Sequence, residues 1–156
     1  MTPGTNDAQD CPPEILRGLD AHTTVTLAYG DADGPGACAV LYAVTPEGRL
    51  VFVSARTTRH GRALAADGTV AFTAQADGQD WQSLTGIQGS GVCALLTGAE
   101  RDRAWAVYRA RFPFVDADPR LAGALARTEL WELRPTRLRL VDNARGFGHK
   151  LEWTAP

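Results

Sequence analysis

Hydrophobic residues along much of the chain alternate with polar ones, which is the period of a β-strand with one buried face. Short runs of this kind recur between turn signals rich in Gly, Pro and Asp. The pattern predicts six strands, at about Thr23–Tyr29, Ala37–Val44, Leu50–Ser54, Thr69–Ala76, Ser83–Gly98 and Thr128–Val141. The first three strands follow one another with short turns, so we expect them to form an antiparallel meander.

Helices are predicted between the strands. Two prolines open a short helix from Pro12 to Asp20, because proline is favoured at the first helical position. Thr57 or Thr58 is expected to cap a second helix that runs to about Ala66. Two further helices are predicted at Glu100–Phe112 and Arg120–Ala126, and Asp142–Trp153 is predicted to form a tail.

These elements predict a mainly β fold, a six-stranded antiparallel split β-barrel with short peripheral helices. Closure into a barrel removes exposed sheet edges, and the glycines that interrupt the strand Ser83–Gly98 favour the bends that closure needs. Residues 1–11 are small and polar, so they are predicted to be a disordered N-terminus. Residues 12–156 then form a single split-barrel domain.

Charge and cysteine content exclude several classes of protein. The net charge of −2 argues against a protein that coats nucleic acid, which needs a basic face. Cys11, Cys38 and Cys93 have no CxxC spacing, so neither a disulfide framework nor a zinc site is expected. Neither a secretory signal nor an apolar run of about 20 residues is visible, and the chain is predicted to be cytoplasmic.

The segment with the most specific chemistry joins the third strand to the second helix. A helix N-terminus attracts anions, since its first N–H groups lack partners within the helix. Thr58 adds a hydroxyl, Arg59 a forked guanidinium and His60 a ring N–H. Thr58, Arg59 and His60 therefore predict a phosphate site, although a solvated basic turn is the alternative on composition alone.

Other residues with catalytic potential are less informative. His22, His60 and His149 are far apart in sequence, so no metal site is predicted. The chain contains no GxSxG nucleophile motif. Asp31 and Asp33 lie in a Gly- and Pro-rich turn and are interpreted as turn formers. No residue is singled out as a catalytic acid or base.

The segment Phe52–Leu64 resembles the flavin-phosphate motif of the pyridoxamine 5′-phosphate oxidase-like split-barrel family. In that family a strand is followed by Ser-Arg-Lys-Gly and a helix, and here Thr58-Arg59-His60-Gly61 stands in its place. The resemblance implies that FMN is the cofactor. It implies that Val53 and Ser54 lie near the ribityl chain or the ring, and that Gln88, in the segment Trp81–Gly91, contacts the ring edge.

The strand Ala39–Ala43 resembles the family strand that lines the flavin ring and the ribityl chain, which implies contacts from Val40, Leu41 and Tyr42. The chain also departs from the family pattern. His60 replaces a lysine, so the charge at the phosphate site depends on pH. The family's arginine and lysine on the lining strand have no counterparts here. The oxidase's C-terminal Arg-His-Arg pattern is also missing, so synthesis of pyridoxal phosphate is not expected.

The resemblance implies an FMN-binding flavoprotein that transfers a hydride to or from an unknown small molecule. It also implies a homodimer with the cofactor sites at the interface, where Trp81 or the tail completes the site of the other subunit. Three alternatives remain at this point: a protein that binds the deazaflavin F420, a haem protein with His22, His60 or His149 as axial ligand, and a cofactor-free dimer. No membrane partner is expected.

Overall fold

The structure is a computed structural model that describes residues 10–156 of the chain. These residues contain seven strands and five α-helices. The strands are β1 (Thr24–Asp31), β2 (Gly34–Val44), β3 (Leu50–Val53), β4 (Thr69–Gln75), β5 (Thr85–Leu95), β6 (Leu130–Asp142) and β7 (Lys150–Thr154). The helices are α1 (Pro13–Asp20), α2 (Arg59–Ala66), α3 (Gly98–Arg111), α4 (Phe114–Ala117) and α5 (Pro119–Ala126).

The predicted disordered segment 1–11 lies outside the described residues except for Asp10 and Cys11. Cys11 is buried in the main hydrophobic core, directly before helix α1. Desolvation raises the pKa of its thiol to about 11, so the thiol stays protonated at neutral pH. The cysteines at 11, 38 and 93 are all free thiols.

The strands form an antiparallel sheet in the order β3-β2-β1-β4-β5-β6-β7. A further pairing between β3 and β6, with Phe52 opposite Trp131, joins the two sides of the sheet into a six-stranded barrel. The predicted split-barrel fold is confirmed. The closing contact joins residues that are far apart in sequence, so strand periodicity alone could not identify it.

Two details of the β-sheet go beyond the prediction from the sequence. The predicted tail contains β7, which pairs with β6 beyond the closed barrel, so the prediction of six strands missed one. Strand β6 continues past Pro135: Gly91 pairs with Pro135 and Ser90 pairs with Arg137. The resulting β-bulge at Thr136 lets the strand pass a residue that lacks a backbone N–H.

The barrel interior is filled by inward-facing side chains of alternate strand positions. Helix α1 inserts Ile15 and Leu19, both fully buried, and contacts β5 and β6 at one end of the barrel. Helix α2 contributes Ala63 and Leu64 to the same core from its position beside β1 and β5. Each helix therefore gives its apolar face to the core that the strands enclose.

Among residues 10–156, helix α3 covers one side of the barrel exterior. Helix α3 packs over β2, β3 and β6, where Tyr108 and Phe112 meet Val51 in a second buried cluster. The outward positions of β1, β4 and the first part of β2 carry small exposed or half-buried side chains: Thr26, Ala28, Ala37, Ala39, Ala71 and Thr73. We call this set the bare face. None of the helices in residues 10–156 has the length and apolar character required to cross a membrane.

Candidate functional site

The turn between β3 and α2 is held by Thr58. Its side-chain oxygen accepts a hydrogen bond from the N–H of Gly61 at 3.0 Å and donates one to the carbonyl of Ala55 at 2.8 Å. Thr58 is therefore the N-cap of α2, as the sequence predicts. Its hydroxyl is already used inside the turn, which leaves the N–H groups of Arg59 and His60 without an acceptor within the helix.

Arg59 is held by a carboxylate of the β1–β2 turn. Its Nε lies 2.8 Å from Oδ2 of Asp31, its Nη2 lies 3.0 Å from Oδ1, and Nη2 also donates to the carbonyl of Gly34 at 3.3 Å. The guanidinium carbon lies 5.7 Å from the ring centre of Tyr29. The hydrogen bond from Arg59 lowers the pKa of Asp31, so the pair is ionised at neutral pH.

This forked contact was not expected from the sequence, where Asp31 was interpreted as a turn former. Asp31 does form the turn, since its Oδ1 accepts the N–H of Asp33 at 2.9 Å. Its two oxygens also occupy both arms of the guanidinium, in the arrangement by which arginine binds carboxylate or phosphate. The carboxylate of Asp31 therefore acts as an internal anion at the predicted phosphate site.

His60 points back toward the end of β3. Its Nε2 lies 2.5 Å from Oγ of Ser54, and its ring centre is 6.3 Å from that of Tyr29. Burial lowers the pKa of His60, so the ring is mostly neutral at neutral pH. Ser54 is 8% exposed and is fixed by two backbone bonds, from its N–H to Glu129 and from the indole of Trp131 to its carbonyl.

The structure thus brings together four of the predicted site residues: Ser54, Thr58, Arg59 and His60. The side chains of the other five, among them that of Gln88, lie elsewhere. Val40 and Tyr42 face the barrel interior, Leu41 is exposed on the outer side of β2, and Val53 packs beside the second cluster under α3. Tyr42 is fully buried and its hydroxyl donates to the carbonyl of Leu19 at the end of α1.

Tyr42→Phe should destabilise the protein. The substitution leaves a buried helix-end carbonyl unsatisfied, which costs about 1–3 kcal/mol of unfolding free energy. Chemical denaturation measures this loss, and Tyr108→Phe serves as the buried-tyrosine control. A Tyr42→Phe protein with the stability of the wild type would contradict this structural role of the hydroxyl.

Gln88 lies on the outer side of β5, far from the turn of the same chain. It pairs with Thr73 on β4, which in turn pairs with Thr26 on β1, five residues before Asp31. Two strand spacings and five residues along β1 separate Gln88 from Asp31 by roughly 15–20 Å. Gln88 and Arg59 therefore do not form one compact site within a single chain.

Two exposed aromatic side chains lie beyond the start of β5. Trp81 is 65% exposed and Phe147 is 84% exposed, and their rings meet edge to face at 6.1 Å. Asn143 connects the two loops that carry them: its amide donates to the carbonyl of Trp81 at 2.7 Å, and its N–H donates to that of Leu84 at 2.9 Å. These loops hold apolar surface in water, which is typical of a contact surface.

Metal binding has no support in the described part of the chain. Within residues 10–156, no three His, Cys, Asp or Glu side chains converge on a point where a metal ion could be held. Burial lowers the pKa of His22, so its imidazole is mostly neutral at neutral pH.

Sequence comparison gives the family of the chain. No protein-family model matches it. A UPF0306 protein of Enterobacter sp. strain 638 is 32% identical over 118 residues, which cover 74% of this chain and 78% of that protein. The chain belongs to the UPF0306 family. A second UPF0306 protein, from Klebsiella pneumoniae, is 28% identical over 140 residues, 89% of this chain and 90% of the relative.

Solved structures share the fold of this UPF0306 protein at low identity. A haem-binding protein from Mycobacterium smegmatis superposes with a TM-score of 0.73 and 21% identity, over 99% of this chain and 59% of that one. An FAD-binding protein from Mesorhizobium loti gives 0.62 and 17%, over 81% and 91% of the two chains. A candidate pyridoxamine 5′-phosphate oxidase from Listeria innocua gives 0.61 and 17%, over 84% and 97%.

Proposed function

We propose that this UPF0306 protein is a flavoprotein that binds FMN and transfers a hydride to or from a small molecule. The observation that carries the proposal is the turn at the start of α2. It presents Arg59, His60 and two unpaired backbone N–H groups next to the end of a barrel strand, in a fold that the FAD-binding protein of M. loti also has. Such a donor set suits an oxyanion, and the phosphate monoester of FMN is one.

The donor set fits a phosphate group. The guanidinium of Arg59 already holds two carboxylate oxygens of Asp31, which stand in for two phosphate oxygens. Thr58 fixes the turn as the N-cap, and Ser54 orients the imidazole of His60. FMN binding then requires Arg59 to exchange Asp31 for the phosphate, or to hold both through different N–H groups.

The bare face supports a homodimer with the cofactor sites at the interface. Its side chains are short, so a second copy can approach the sheet closely at little cost in side-chain entropy. A twofold axis that lies in the interface and runs across the strands brings the α1 end of one barrel to the α2 end of the other. Gln88 of one copy then approaches the turn of the other, which a single chain does not allow.

The flavin, when bound, supplies the hydride chemistry, and the protein supplies position and polarity. Arg59, His60 and the N–H groups of the turn hold the phosphate. Gln88 offers both a donor and an acceptor to the ring edge from the second subunit. Trp81 and Phe147 offer apolar faces at the same end of the barrel as Gln88.

The proposal is tested by titrating purified protein with FMN at micromolar concentration. We expect quenching of FMN fluorescence, a shift of the visible flavin bands, and a mass by light scattering of twice the 16.7 kDa of the chain. Unquenched FMN and an unchanged spectrum would refute the flavin assignment. A monomer that binds FMN would refute only the interface.

Haem is the second candidate, because the M. smegmatis protein with the same fold binds haem. Its axial ligand in this chain would be His60, His22 or His149. A Soret band on addition of haemin, with loss of the band in one histidine variant, would favour haem over FMN. The deazaflavin F420 is tested by competition, since an excess of F420 that displaces FMN would favour the deazaflavin.

The affinity for FMN should depend on the charge of His60. The pKa of this imidazole is lowered by burial, so it is mostly neutral at pH 7.5. An anion at the turn favours the protonated ring and raises the pKa of His60 in the complex, so binding takes up a proton and strengthens as the pH falls through that pKa.

The measurement is the ratio of the FMN dissociation constant of His60→Gln to that of the wild type, at pH 7.5 and pH 5.5. Protonation of the phosphate near pH 6 affects both proteins alike and cancels in the ratio. We expect the ratio to rise several-fold at the lower pH. His149→Gln is the control, and a ratio that does not change with pH would contradict a charge role for His60.

A further inference from the structure

Gln88 lies between two depressions in the outer surface of strands β5 and β6. The first has a volume of about 200 Å³ and is bordered by Leu84, Gly86 and Val141. The second has a volume of about 250 Å³ and is bordered by Ser90, Arg137 and Arg139. Gln88 lines both, so the two depressions are neighbours, one apolar and one basic, and we call the pair the Gln88 groove.

Small outward-facing residues create this groove. At the apolar end, Gly86 lies between Gln75 of β4 and Val141 of β6 and adds no side chain, and a Cβ there would lie 3.0 Å from the Cβ of Gln75. Ala71 of β4 and Ser90 of β5 are neighbours in register, and their side chains at the basic end are short. The groove therefore follows from the register of three strands.

The basic end carries more positive than negative charge. Arg137 and Arg139 both pair with one carboxylate, Glu152 of β7, at 3.4 Å and 2.5 Å. The hydrogen bond from Arg139 lowers the pKa of Glu152, which is therefore ionised at neutral pH. Two guanidinium groups against one carboxylate leave one net positive charge for a ligand.

The apolar end is suited to a flat hydrocarbon group. Leu84 is 42% exposed and borders the depression, and its carbonyl is held by Asn143, the residue that also connects the loop of Trp81 to that of Phe147. A ring bound there would cover apolar surface that is otherwise in water. The exposed amide of Gln88 can donate to or accept from a polar atom between the two ends.

We propose that the Gln88 groove binds the substrate, and that the substrate is a monoanion with a flat apolar body, such as an aromatic carboxylate. The acidic group meets Arg137 and Arg139, and the apolar body lies over Leu84, Gly86 and Val141. That this ligand is the substrate rests on the proposed function, in which Gln88 contacts the edge of the flavin ring. The binding itself does not depend on the flavin.

The test uses anilinonaphthalenesulfonate, a fluorescent aromatic monoanion, and its uncharged analogue N-phenylnaphthylamine. We expect both to bind the wild-type protein. The double variant Arg137→Gln/Arg139→Gln should bind the sulfonate at least about tenfold more weakly and the uncharged probe within about twofold of wild type. Leu84→Asn should weaken both probes, and Arg120→Gln, which changes an exposed arginine on α5, should weaken neither.

Three outcomes would overturn the proposal. The first is that the double arginine variant binds the sulfonate as tightly as Arg120→Gln does. The second is equal loss of both probes in the arginine variant while its circular dichroism and melting temperature match the wild type. The third is displacement of the sulfonate by FMN with parallel loss of FMN binding in the arginine variant, which would make the groove the cofactor site. Failure of FMN to bind at all would refute the proposed function but leave the probe results standing.

Discussion

Arg59→Ala is expected to weaken FMN binding by about 10- to 100-fold. The loss of one charge-assisted hydrogen bond of the guanidinium costs about 1.5–3 kcal/mol, and about 1.4 kcal/mol corresponds to a factor of ten in affinity. A fluorescence-quenching titration measures the change. Arg62→Ala is the matched control, since Arg62 lies in the same helix but donates to the carbonyl of Thr57.

Asp31→Asn separates the two roles that Arg59 can have. If the carboxylate of Asp31 competes with the phosphate for the guanidinium, its removal should tighten FMN binding several-fold. If the pair only fastens the β1–β2 turn to α2, Asp31→Asn should weaken binding as Arg59→Ala does. An Arg59→Ala protein that binds FMN with wild-type affinity would contradict the phosphate assignment itself.

Gly61→Ala is expected to lower the free energy of unfolding by about 3 kcal/mol. A Cβ atom at this position would lie 2.2 Å from the carbonyl oxygen of Ala55 and 2.9 Å from the Cα of Arg56. Both are backbone atoms, so they cannot move aside as a flexible side chain would. Urea denaturation followed by circular dichroism measures the loss.

Gly30→Ala is the matched control, because a Cβ at Gly30 would meet nothing within 4 Å. In Gly61→Ala, the backbone shift that relieves the clash with Ala55 would separate the N–H of residue 61 from Oγ1 of Thr58. These two atoms are now 3.0 Å apart, so the shift would remove the cap of α2. We therefore expect FMN affinity to fall together with stability. Equal stability of the two glycine variants would show that the turn relaxes at low cost.

The site could be predicted from the sequence only where its residues are close together in the chain. Thr58, Arg59 and His60 follow a strand and open a helix, and each of these features is a local pattern. Nothing local indicates that Asp31 lies in the fork of Arg59, because the contact crosses 28 positions of the chain. The two arginines of the Gln88 groove were likewise missed, although the alternation Arg137-Leu138-Arg139 places both on the outward side of β6.

The sequence by itself determined the alternation of the strands, the turns between the first three of them, the cap of α2 and the class of the fold. These depend on period, propensity and turn chemistry, which act within a few residues. Only the tertiary structure decided that β3 pairs with β6, that Tyr42 faces the core, and that Gln88 lies far from the turn of its own chain. Those facts depend on which strands meet and in what register, and that is set by packing between distant segments.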